Sequence, residues 1–389
     1  MKIAIAICAA FLLAVITAAA QQEPSAQETP RAHQGMEHGG FMQGGMHHAM
    51  AKGVKLEEKM DAAGHTITLR VGPMTLPAHT GHMKMAQPPD LFWTIPVDAW
   101  LLAYTPRLVD SNAAEVPGRV LHHVAFWNEN RSDFLCPNKE EHIFGAGSEM
   151  THWAQIPGHG YRVQKGDKIR IETMIHNPWD TPYDKVYLEV KIPYAAIEDA
   201  RGVNAGIAPT ADASANFASA PRDGSGYVAS VLFDSVRSVY PAWMDVESCG
   251  NSGYDLKPGK NVTTGTVRVK YDGVLLGVGG HMHDYAKEIV LENATRKETV
   301  ATLDATVDER GRLLNMPVVM FLDKGGYKFA AGDALKITAT YENPTGKLLR
   351  DGAMGIVVGY FLPSDDAQMA SLRHKVAPLH EMAGMTHDH

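Results

Sequence analysis

GVGGHMHDYAKEIVLEN, residues 277–293, sets His281 and His283 one residue apart between a glycine run and an alternating apolar stretch. The alternation in AKEIVLEN, with VRVKYDGVLLGVGG ahead of it, has the period of two that belongs to a β-strand with one buried face. Residues i and i+2 of a strand project from the same face, so both imidazoles can reach one ion. The same spacing also fits a pair of surface or cleft histidines on a half-exposed strand.

Outward from this stretch the texture repeats. Between Val54 and Tyr194 run HTITLRV, LFWTIPV, HHVAFWN, KIRIETMIH and KVYLEVKI, broken by PG, NP and GD turn signals. After residue 226 come YVASVLF, PVVMFL, ALKITATYEN and GIVVGYFLP. The pattern predicts an all-β chain built as two antiparallel β-sandwiches in tandem, jelly-roll-like, over residues 54–195 and 227–365. Residues 196–226 are rich in Ala, Gly and Ser without a period and read as a linker or insertion.

The chain has 389 residues with 45% apolar content, enough for two domains with their own cores. Lys and Arg number 36 against 44 Asp and Glu, a formal charge of −8 without a long basic run, which argues against nucleic acid as a partner. The opening MKIAIAICAAFLLAVITAAA has one lysine, an apolar stretch and small residues before Gln21, the pattern of a cleaved signal peptide over residues 1–20. An uncleaved anchor is the rival reading, and no other segment is apolar enough to span a bilayer. A secreted or periplasmic protein with no stable membrane insertion after cleavage is the expectation. Of three cysteines, Cys8 falls in the signal, which leaves Cys136 and Cys249 as one possible disulfide.

Nineteen histidines and 19 methionines stand out, many of them near the ends. Residues 21–53 include MEHGGFMQGGMHHAM, lack periodicity and are expected to be disordered. The tail over residues 366–389 closes on LHEMAGMTHDH with the same chemistry. Thioethers and imidazoles together suit copper, Cu(I) above all. Met36, His38, Met42, Met46, His47, His48 and Met50 are therefore candidates for accessory copper handling, beside the plainer reading of a polar tail.

The first half offers a second constellation, the doublet His122–His123 in HHVAFWN and His176 after IETMI. Neighbours on a regular strand point to opposite faces, so the doublet can share an ion only at a bulge, a twist or a strand end. With His176 it would form a three-imidazole site of the kind that suits zinc or copper. His79 and His82, with Met83 and Met85, form a lesser candidate loop. His142, His152 and His159 read as supporting or surface residues, and Met174 as core.

Taken in order, HHVAFWN, PGHGYRV, the strand ending in MIH, HMHDYAKEIV and DGAMGIVVGYF resemble the copper type II, ascorbate-dependent monooxygenase family, over roughly residues 90–365. Peptidylglycine alpha-hydroxylating and dopamine beta-monooxygenases belong to it. The resemblance implies one copper on His122, His123 and His176, and a second on His281, His283 and Met354. It implies reaction of O2 at the second site, an electron supplied from the first across the cleft between the domains, and hydroxylation of a substrate C–H bond. An external one-electron donor, ascorbate by the family's habit, would reduce both ions.

The chain departs from the peptide-amidating members where they hold a peptide carboxylate. Gly279 stands where they have an arginine, and Ile356 and Val358 where they have a polar side chain and a tyrosine; none of the three can make a charge-assisted bond to a carboxylate. A small organic substrate, less charged or more apolar, is expected around Gly279, Ile356 and Val358. The main alternative is a non-catalytic copper-binding protein for sequestration or delivery. A third is a double sandwich that holds zinc or no metal and serves adhesion or carbohydrate binding.

Overall fold

Strand alternation becomes sheet in two separate sets. The computed structural model describes residues 49–81, 84–133, 140–147, 149, 156, 159–197, 229–234, 253–269 and 271–364. Among them the elements are strands and two short 3-10 turns, so the all-β expectation is met. No helix among the described residues is long and apolar enough to cross a membrane. The signal stretch, Cys136, Cys249, most of the expected linker and the C-terminal tail lie outside the described residues.

The first sandwich packs two antiparallel sheets. One contains β1 (Lys55–Asp61), β2 (Thr66–Leu76), β10 (Tyr183–Ala196), β4 (Ala99–Leu101) and β8 (Tyr161–Val163) in that order, with β5 (Thr105–Val109) paired to β10. The other runs β3 (Leu91–Thr94), β9 (Lys168–Ile175), β6 (Leu121–Ser132), β7 (Glu140–Gly147). In β2 the inward set Ile67, Leu69 and Val71 is buried while Thr66, Thr68 and Arg70 keep partial exposure, the burial that period-two alternation dictates.

The second sandwich repeats the plan. One sheet orders β11 (Ala229–Asp234), β23 (Ile356–Pro363), β14 (Gly273–His281) and β19 (Val318–Met320), with β20 (Tyr327–Phe329) also on β14. The facing sheet orders β13 (Gly259–Arg268), β21 (Ala334–Asn343), β15 (Ala286–Asn293) and β16 (Glu298–Asp304). Among the described residues no sheet mixes strands of the two halves.

The halves nevertheless press on each other. Ile156 of the first is buried against Leu276 of the second, with Tyr360 and Leu362 packed alongside. Arg119, in the turn Gly118–Val120 that opens β6, bonds the carbonyl of Leu313 and the carboxylate of Asp284, the latter at 3.1 Å. These contacts fix where the ends of β6, β9 and β14 meet.

Candidate metal centre

The doublet sits where regular pairing breaks. β6 and β9 pair Leu121 with Ile175, but His123 with Met174, a register shift that absorbs one residue at His122. A bulge turns neighbouring side chains toward a common side, and here the two Nδ1 atoms lie 3.0 Å apart, with ring centroids 5.1 Å apart. His176 follows the last residue of β9 on the same edge, its N–H bonded to the carbonyl of Val120, and its ring is 5.2 Å from that of His122.

His281 ends β14, and β15 in the facing sheet starts at Ala286, so HMHDY forms the corner between the sheets. Tyr285 takes the left-handed conformation, φ 68°, that this reversal needs. The rings of His281 and His283 are 5.6 Å apart. His281 is opposite Ile356, the last pair of the β14–β23 ladder.

The hydroxyl of Tyr341 ties these two segments. It accepts the N–H of His283 at 2.8 Å and that of Met354 at 3.3 Å, and donates to the Met354 carbonyl. Tyr341 is fully buried, and burial holds its hydroxyl well above the ordinary tyrosine range, so it stays protonated as that donor. Met354 itself is buried in the core. Its backbone adjoins that of His283 through the Tyr341 hydroxyl.

Closure of the sandwiches brings the two sets together. His122 and His283 have ring centroids 4.9 Å apart at 74°, and His123 and His281 6.2 Å apart at 87°. Five imidazoles, supplied by distant segments of the chain, thus stand edge to face around one junction, where the sequence led us to expect two centres separated by a cleft. Among the described residues no three His, Cys, Asp or Glu side chains already surround one point as ligands. A cavity of about 760 Å³, including its mouth, opens beside them and is lined in part by Arg119, His122, Glu149, His176, His281 and His283.

Two contacts assign ring nitrogens. The carbonyl of Arg119 takes the Nε2–H of His176 and can only accept, so Nδ1 keeps the lone pair. Glu149, from the first sandwich, accepts the Nδ1–H of His281, from the second, which leaves Nε2 as the lone-pair nitrogen. The Glu149 side chain is 2% exposed, so this carboxylate acts with little competition from water. Gly147 makes room for it, because a Cβ there would lie 2.4 Å from Oε2 of Glu149.

A second space lies on the other side of His123 and His281. About 420 Å³ including its mouth, it is walled by β6 and β7 from one half and by Ile356 and Val358 of β23 from the other. Gly279 pairs with Val358 but is not part of the wall. His142 closes one end, stacked edge-on against Trp127 at 5.0 Å, and burial lowers its pKa to about 3, so its ring is neutral.

The remaining candidates fall elsewhere. His79 pairs with Asp180 at 2.9 Å on the open surface, Met85 is buried in the core, and Met174 is buried opposite His123. Met50 is 63% exposed beside an isolated bridge to Gln87. Met36, His38, Met42, Met46, His47, His48, His82, Met83 and His152 lie outside the described residues. Glu149, Tyr341 and Arg119 escaped sequence reasoning because none sits in a repeating or metal-like pattern.

No family model and no curated protein matches the chain. Among solved structures it is similar to the major capsid protein P2 of bacteriophage PM2, at 8% identity and TM-score 0.30 over 75% of this chain and 97% of that one. It is similar to the STIV MCP at 8% identity and TM-score 0.34, over 82% of this chain and 99% of that one. A third likeness is to PNGF-II, at 11% identity and TM-score 0.31 over 82% of this chain and 63% of that one.

Proposed function

We propose that the chain is an exported two-copper monooxygenase that hydroxylates a C–H bond of a small organic molecule with O2 and an external one-electron reductant. The observation that carries this reading is the meeting of His122, His123 and His176 with His281 and His283 at the junction of two sandwiches. The donor set fits copper. Neutral imidazoles accept either oxidation state, a thioether at Met354 would favour the reduced one, and two Nδ1 atoms 3.0 Å apart have the spacing of two donors on a common ion. Bound copper would supply one-electron redox chemistry and the activation of O2.

The chain's own residues orient and enclose. Glu149 and the Arg119 carbonyl fix the tautomers of His281 and His176, an arrangement that raises ligand basicity and holds ring direction. Tyr341 sets the backbone positions of His283 and Met354 against each other. The apolar wall beside His123 and His281 is where a C–H bond would be presented. No general base is required of the protein, since the metal carries the hard chemistry.

The Met- and His-rich ends of the chain favour a second reading, copper storage or delivery without turnover. Oxygen uptake by the reduced, copper-loaded protein separates the two. Uptake that rises with a C–H substrate is expected; copper binding with neither turnover nor peroxide release would leave only the storage reading.

A further inference from the structure

We propose that the space behind His123 and His281 is the substrate pocket and that it takes a small, uncharged, apolar molecule, not an acid or an amine; the word substrate here rests on the monooxygenase reading. Its walls are two strand pairs that face each other across the junction. β6 and β7 contribute Val124, Ala125 and Ala146 and the bare backbone of Gly145 and Gly147, and β23 contributes Ile356 and Val358. The glycines are needed there: a Cβ on Gly145 would lie 2.9 Å from Nε2 of His142, which folds back over that strand.

Among the described residues no Asp, Glu, Lys or Arg lines this space. Its polar groups are the imidazoles of His123, His142 and His281, and His142 is neutral. A carboxylate or ammonium placed there would lose its hydration with no charged side chain among these lining residues to meet it. An apolar group gains on entry roughly in proportion to the area it buries.

The larger cavity, which also borders His281, has the contrary chemistry, with Arg119, Glu149, Asp284 and Arg350 in its lining. A charged substrate would be drawn to that side. The two cavities, which share His281, therefore predict opposite ligand preferences.

The test is calorimetric binding of toluene, phenylacetate and phenethylamine to the full chain, with copper content measured on the same samples. Toluene should bind, with both charged analogues at least about ten-fold weaker. Val358→Trp, which fills the pocket, should weaken toluene at least about ten-fold while copper content stays at the wild-type level. Ile356→Val, which enlarges it with a smaller loss of buried volume, should shift the preference from toluene toward naphthalene. A charged analogue binding as tightly as toluene, or toluene binding unaltered by both substitutions, would overturn the proposal. Selective toluene binding by a chain that retains no copper would sink the monooxygenase reading and leave the apolar ligand preference standing.

Discussion

Glu149 reaches from one sandwich to a histidine of the other, and its carboxylate decides which nitrogen of His281 is left to bind. Such outer partners typically contribute 10–100-fold to metal affinity. Glu149→Gln, whose amide oxygen still accepts, should lower copper affinity about ten-fold in competition with a chelator, and Glu149→Leu should lower it further; equal affinity in all three proteins would remove Glu149 from the site. His142 makes a separate prediction. Its folded pKa of about 3 lies below its ordinary 6.5, so between these values the unfolded chain takes up a proton that the folded chain does not. Stability from this group is complete above pH 6.5 and falls as the pH drops toward 3, by up to about 1.4 kcal/mol per pH unit. His142→Phe should therefore narrow the difference between urea midpoints at pH 7 and pH 5, and an unchanged difference would contradict the buried neutral ring. Histidine spacing was legible in the sequence because strand parity converts it directly into facing. Glu149 was not, since its role exists only once two distant segments touch.

Elements carry the next level of precision. The register shift between Leu121 and His123 in β6 answers a question the sequence posed, how the adjacent rings of His122 and His123 can face a common side. The corner from β14 to β15 does the same for His281 and His283, with Tyr341 of β21 bonding across it. Tyr341→Phe removes the partner of two N–H groups and a carbonyl in a buried place, at about 1–3 kcal/mol per unsatisfied group. Urea unfolding should show a loss of about that size, with weaker copper binding at His281 and His283; full stability and full copper retention would show that the hydroxyl holds nothing together. Long alternating strands such as β2, β10 and β21 were readable from period alone. Three-residue strands such as β4, β8 and β12 (Tyr254–Leu256) were not, because at that length pairing partners decide the structure and the local pattern does not.

For the molecule as a whole, the sequence spoke to two sandwiches and not to their closure. Packing of Ile156 on Leu276 and the bonds from Arg119 to Leu313 and Asp284 bring the histidine sets into ring contact. Asp284 is 42% exposed, so a double-mutant cycle between Arg119→Ala and Asp284→Ala should give a coupling of only about 1 kcal/mol or less. The larger effect of Arg119→Ala should be faster hydrogen exchange at His283 and Leu313 as the junction loosens; unchanged exchange would mean the apolar contacts alone hold it. The central claim is that the two histidine sets make a copper centre, and copper stoichiometry of the full chain tests it most directly. The account predicts two ions per chain, one remaining in His122→Ala/His123→Ala and one in His281→Ala/His283→Ala. A wild-type chain that binds no copper, or variants that each keep both ions, would contradict it.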